Sequence, residues 1–125
     1  MESFGLVVFD LNDLKRINDI KGHDAGDKYL KSACKIICET FKHSPIFRIG
    51  GDEFIAFLIG EDFSNRKSLI SGFEHLMKEN QSNDEIVIAF GYTEFIKNQD
   101  NNYSSIFNRA DLKMYERKKK MKSAI

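Results

Sequence analysis

Two successive glycines, Gly50-Gly51, separate two apolar runs, Ile46-Phe47-Arg48-Ile49 and Glu53 to Ile59. A Gly-Gly pair in that setting is a strong turn signal, so the runs read as the two strands of a hairpin. The hairpin fixes a frame that the remaining segments must fit. Gly5-Leu6-Val7-Val8-Phe9 is a continuous apolar run ending in Asp10 and reads as a strand buried on both faces. Asn12 or Asp13 is placed to cap a following helix carrying Leu14, Ile17 and Ile20, which Lys21-Gly22-His23 breaks.

A second helix is predicted from about Ala25 to Phe41, with Leu30, Ala33, Cys34, Ile37 and Phe41 in one stripe. Pro45 restarts the chain before the hairpin. Beyond the hairpin, Gly60 to Asn65 reads as a loop, and Leu69, Ile70, Phe73, Leu76 and Met77 mark a third helix. Asn80 to Asp84 reads as a loop, and Ile86 to Phe90 as a central strand closed by Gly91. Lys97 to Asn102 reads as a further loop, and Ile106, Phe107, Ala110 and Met114 mark a last helix. The order contains the β-α-β-β-α-β plan of a ferredoxin-like sheet, an α+β sandwich with an antiparallel sheet and helices. The 125 residues suit a single domain, 1–125.

In that topology the first strand lies beside the third and runs opposite to it. Asp10 then faces Asp52 and Glu53 at one end of the sheet. Unbalanced carboxylates so placed repel one another, and oxygen-ligated divalent cations relieve the conflict. Paired cations bridging phosphates are the usual device of in-line phosphoryl transfer. Gly50 and Gly51 let backbone N–H groups approach a bulky anion, and the helix start at Asn12 to Lys15 offers more of them.

Composition narrows the field. Nineteen basic residues balance nineteen acidic ones, which argues against a nonspecific nucleic-acid binder, although Arg117-Lys118-Lys119-Lys120-Met121-Lys122 is strongly basic. Cys34 and Cys38 stand one helical turn apart with no second Cys/His pair to complete a zinc site, and two thiols fit a reducing cytoplasm. No apolar run approaches the ~20 residues of a membrane span. Met1-Glu2-Ser3 lacks a signal peptide's basic start.

The motifs taken together are more specific than any one residue. Gly50-Gly51-Asp52-Glu53-Phe54 spells the GGDEF signature of the GGDEF diguanylate cyclases. FDLNDLKRIND (Phe9–Asp19), GHDAGD (Gly22–Asp27) and ADLKMYERK (Ala110–Lys118) resemble three further motifs of that family, in the family's order, and Arg48 also fits. The resemblance covers nearly the whole chain. It implies that Asp10, the Leu11 carbonyl, Asp52 and Glu53 hold two Mg²⁺ or Mn²⁺ ions per GTP site, with Asp52 as candidate base and Glu53 beside it. It implies that Asn18 and Asp27, with His23 close by, read the guanine edge, and that Gly50, Gly51, Lys118 and Lys122 serve the phosphates.

The chain departs from the family in three places. It starts almost at the first strand, without an LTGLxNR-like run. Leu14 stands where phenylalanine is common, and Met121-Lys122-Ser123 where Gly-Arg-Asn is common. Phe41 and Ser44 stand where many members carry the Arg-x-x-Asp site of product inhibition.

The resemblance implies an enzyme that condenses two GTP into cyclic di-GMP across a transient dimer of half-sites. It implies a cytoplasmic domain of a larger signalling protein with a sensor or regulatory partner, the whole free to be membrane-tethered. The alternative is a GTP-binding regulatory domain with little or no turnover.

Overall fold

A computed structural model describes residues 3–11, 13–95 and 102–123. The chain runs β1 (Gly5–Asp10), α1 (Leu14–Lys21), α2 (His23–Thr40), β2 (Ile46–Arg48), β3 (Glu53–Leu58), α3 (Gly60–Ser64), α4 (Arg66–Ser82), β4 (Ala89–Glu94) and α5 (Tyr103–Ser123). The strands form one antiparallel sheet in the order β2-β3-β1-β4. This is the α+β arrangement expected from the sequence, with β1 between β3 and β4.

Alternation along the strands sends their side chains to two cores. Val7, Phe9, Phe54, Ala56 and Phe90 pack on one face with Ala33, Ile37 and Phe41 of the α2 side and Phe73 and Met77 of α4. Four rings knit this core: Phe9 lies 5.8 Å from Phe41 and 5.6 Å from Phe73, and Phe73 lies 5.0 Å from Phe90. Such pairs add about 0.5–1.5 kcal/mol each beyond their burial. Leu6, Val8, Ile55 and Ala89 point to the other face, where Ile106, Ala110 and Met114 of α5 cover them.

Four local expectations are corrected. The last strand is Ala89–Glu94, displaced toward the C-terminus, and Gly91 lies inside it. Ile88 is buried, but its N–H is directed at the Met77 sulfur, 3.1 Å away, rather than into a sheet ladder. Of the run Ile86 to Phe90, Ala89 and Phe90 pair with Asp10 and Phe9, while Ile86 to Ile88 form a packed approach to the strand. Gly91 is there because α5 crosses it: a Cβ would stand 2.0 Å from the Ala110 carbonyl oxygen. Gly60 to Asn65 holds the short helix α3, whose buried Asp62 accepts the His43 N–H at 3.0 Å and the Ser44 hydroxyl at 2.7 Å. Helix α4 continues to Ser82, shortening the loop expected from Asn80, and α2 begins at His23 rather than Ala25.

Gly22 takes φ +90°, a conformation that suits glycine, and lets α2 start one residue after α1 ends. Asp13 flanks α1 without a side-chain cap, and Asn12 lies outside the described residues, as does most of the loop read at Lys97 to Asn102. The two cysteine sulfurs stand 3.9 Å apart as free thiols.

β4 carries a further feature. Phe95 N–H donates to the Phe4 carbonyl, toward the β1 side. By the alternation of an antiparallel pair, the backbone groups of Phe90, Tyr92 and Glu94 then face away from the sheet. Their three carbonyls accept from Arg117 Nε at 3.1 Å, Lys113 Nζ at 3.2 Å and Arg109 Nη2 at 2.7 Å, all from α5.

Candidate active site

The site grows from the end of β1. Asp10 is the last residue of that strand and sits opposite Glu53, the first of β3. Both side chains leave the sheet on the α5 face, because Asp10 alternates with Leu6 and Val8 and Glu53 with Ile55. The Leu11 N–H donates to the Asp52 carbonyl at 2.9 Å and ties the two segments together just beyond the ladder. The Leu11 carbonyl accepts the Leu14 N–H at 3.2 Å, where α1 begins. Asp10, Leu11, Asp52 and Glu53 are therefore neighbours at one end of the sheet, as the topology predicts.

The turn between β2 and β3 lies where the Gly-Gly pair predicts it. Ile49 N–H closes it on the Glu53 carbonyl at 3.0 Å. Arg48 braces it from inside, its Nε and Nη2 donating to the carbonyls of Gly50 and Gly51 at 3.1 and 2.7 Å. Neither glycine takes a positive φ. A Cβ on Gly51 would meet nothing within 4 Å, and one on Gly50 only the Glu53 Cβ at 3.8 Å. Both are exposed. Backbone strain and internal packing thus leave the two glycines unexplained.

Helix α5 completes the cleft. Asn108, Asp111, Tyr115 and Lys118 recur at helical spacing and line, with Asp10 and Glu53, a space of about 520 Å³. Lys118, expected at phosphate, places its Nζ 3.3 Å from Asp10 Oδ2. Asp10 Oδ1 is buried without a hydrogen-bond partner among the described residues. Burial pushes the Asp10 carboxyl above its ordinary pKa; Lys118 pulls it back, and Asp52 and Asp111 add to the rise. Burial raises Glu53 too, and Asp111, Asp10 and Asp52 reinforce the effect against Lys118. Asp111 was missed in the sequence because a lone acid on a helix flank resembles solvated surface. Its recurrence with Asn108, Tyr115 and Lys118 on one face was the available signal.

Among the described residues no three Asp, Glu, His or Cys side chains are gathered as a finished metal site. The donors nevertheless suit a hard divalent cation: carboxylate oxygens on adjacent strands, one of them buried and unpartnered, with more negative charge than Lys118 balances.

The residues expected to read a base form a second group. The Asn18 carboxamide of α1 lies over Gly26 of α2, where a Cβ would come within 1.5 Å of Asn18 Oδ1. Gly26 is thus reserved for Asn18, and Asp27 is the next residue. His23 and Asp27, four apart, share an exposed face of α2. No hydrogen bond or ion pair joins this group to the carboxylates among the described residues. The Lys122 side chain lies outside the described part of the chain. Phe41 is wholly buried against Phe9 and Phe73, and Ser44 is held by Asp62, so both positions serve the fold.

Comparison with known proteins places this arrangement. The family model described as "Diguanylate cyclase, GGDEF domain" matches residues 1–124. Diguanylate cyclase DgcS of Shewanella oneidensis is 42% identical over 59 residues, covering 46% of this chain and 20% of the relative. Diguanylate cyclase DgcP of Pseudomonas aeruginosa is 31% identical over 123 residues, covering 91% of this chain and 18% of the relative. The chain thus spans about a fifth of the length of these curated relatives. The solved structure of the active GGEEF domain of a diguanylate cyclase from Vibrio cholerae shares the fold, with a TM-score of 0.75 at 24% identity over 95% of this chain and 78% of that one. No helix among the described residues is long and apolar enough to cross a membrane.

Proposed function

We propose, for a chain that belongs to the GGDEF-domain family of diguanylate cyclases, that it binds GTP at the Asp10–Glu53 cleft and joins two GTP into cyclic di-GMP. The observation that carries this reading is the cross-strand pair of Asp10 and Glu53 beside two exposed glycines that the fold does not require. Asp10, the Leu11 carbonyl, Asp52 and Glu53 would hold two Mg²⁺ or Mn²⁺ ions. When bound, such ions polarise the α-phosphate and lower the pKa of an attacking hydroxyl.

The chain's own residues supply the rest. Gly50 and Gly51 present backbone N–H groups to the phosphates, and Lys118 and Lys122 add positive charge there. Asn18 and Asp27, with His23 at the rim, accept from the guanine N1–H and N2–H₂ groups. Asp52 takes the proton of the 3′-hydroxyl as its oxygen bonds to the α-phosphorus of the GTP on a second copy, and pyrophosphate leaves. The same step in the opposite direction closes the ring and releases the second pyrophosphate. The reaction therefore needs two copies facing each other. We place the domain in the cytoplasm, as part of a signalling protein whose other domains set when the copies meet.

Incubation with GTP and Mg²⁺ at high protein concentration, followed by chromatography of the nucleotides, tests the reading. The expected products are cyclic di-GMP and pyrophosphate, lost in Asp52→Ala while its circular dichroism stays that of the wild type. GTP that binds but is never converted, at any protein concentration, would favour the regulatory alternative.

A further inference from the structure

Arg109, Lys113 and Arg117 lie four residues apart on one face of α5, and they meet Glu94, Tyr92 and Phe90, two residues apart on β4. The two spacings match: four helical residues advance about 6 Å and two strand residues about 6.6 Å. The pairs run in opposite order, so α5 lies antiparallel to β4, cation against carbonyl, along the strand's outward edge. Each end is reinforced. Arg109 Nε also reaches Thr93 Oγ1 at 3.2 Å. The Arg117 guanidinium lies 4.1 Å from the centroid of the Phe90 ring and 3.4 Å from Glu74 of α4. Gly91, bare of a side chain, lets the helix come down between the rungs.

We propose that Arg109, Lys113 and Arg117 act as a register clamp: they fix how far α5 slides along β4, and so set where Lys118 and Asp111 stand against Asp10. The next residue after the last rung, Lys118, reaches Asp10, whose neighbour across the β1–β4 ladder is Ala89, the residue just before Phe90. The carboxylate cleft is thus an extension of the ladder. A slip of one residue on α5 would rotate Lys118 away by about 100°. The three are positioning residues, and none of them lines the cleft. The clamp also occupies the carbonyls through which a foreign strand would pair with β4, a known hazard of open sheet edges. The link to GTP binding rests on the function proposed above; the clamp itself does not.

The experiment compares amide hydrogen exchange, light scattering and GTP–Mg²⁺ calorimetry for the wild type, Arg117→Met, Arg117→Lys, and the combined Arg109→Met, Lys113→Met and Arg117→Met variant. Methionine keeps an apolar stem over Phe90 and removes the donors. Exchange in α5 should rise at least about tenfold in Arg117→Met, with α2 amides on the opposite face unchanged. Arg117→Lys should restore most of the protection, because Lys113 already makes such a contact. GTP should bind more weakly in step with the exposure of α5, and the triple variant should self-associate through the opened edge. Unchanged α5 exchange in Arg117→Met would overturn the clamp, even if the triple variant fails to fold. Loosened α5 with wild-type GTP affinity would overturn the positioning role. A wild type that binds no GTP would defeat the proposed function, while exchange would still decide whether the clamp exists.

Discussion

Glu53 is held in a conflict that pH can expose. Its carboxyl is raised by burial first, then by Asp111, Asp10 and Asp52, with Lys118 opposing. A carboxyl raised in the folded chain binds its proton more tightly there than when unfolded. Its contribution to stability therefore falls as pH rises from the ordinary glutamate value of 4.5. Glu53→Gln should accordingly melt at a higher temperature than the wild type at pH 7, and the gain should vanish below the ordinary value, where both side chains are neutral. A Glu53→Gln chain that is less stable than wild type at pH 7 would show that Lys118 outweighs the three acids. Gly26 offers a test of base reading. Gly26→Ala gains up to about 1 kcal/mol of helix propensity, but its Cβ displaces the Asn18 carboxamide. We expect little change in melting temperature and about a tenfold loss of preference for GTP over ATP, measured by calorimetry. An unchanged preference would remove Asn18 from the guanine site.

At the scale of elements, the hairpin was legible and the last strand was not. Gly50-Gly51 between apolar runs can hardly be read otherwise than as a turn, and the placement of Asp10 against Glu53 follows from topology alone. The 86–90 run misled because continuous hydrophobicity reports burial and cannot tell a strand from a packed approach to one. Gly91 reads locally as punctuation, whereas it serves an approach from α5, whose Ala110 and Met114 lie 19 and 23 residues further along the chain. Asp111 and the clamp cations were hidden for the same reason: their partners lie on other elements, and only the fold brings them together. This gives a prediction at the same scale. Gly91→Ala drives a Cβ toward the backbone of Ala110 and Met114, which cannot swing aside as a side chain can. Urea denaturation should show a loss of about 3 kcal/mol, near the upper end for overpacked sites, against a gain of up to about 1 kcal/mol for Gly72→Ala in α4, where a Cβ meets nothing within 4 Å and only helix propensity changes. Equal stability of the two variants would mean that α5 rides higher on the sheet.

The whole molecule is unevenly covered, and that bears on how two copies meet. Among the described residues, one sheet face is packed by α2 and α4 and the other by α5, with Phe47, Ile49 and Tyr103 left substantially exposed. The β4 edge is closed by α5, so a partner copy is steered away from adding a strand there. The carboxylate cleft opens between β1, β3 and α5. If each copy holds one GTP, the two clefts must face each other, and the 125 residues carry no a/d heptad to hold them so. Encounter alone then sets the population of facing pairs. Specific activity should rise in proportion to protein concentration while pairs are rare, then level off as they saturate. Fusion to a dimerising coiled coil should lift the dilute end of that curve by raising the effective concentration toward the millimolar range expected of short linkers. GTP affinity measured on the same samples separates poor pairing from poor binding, because a single copy should bind GTP equally well at every dilution. Specific activity that stays flat across a thousandfold dilution would mean either a stable dimer, which light scattering would reveal, or a reaction completed within one copy, in which case the facing half-sites must be given up.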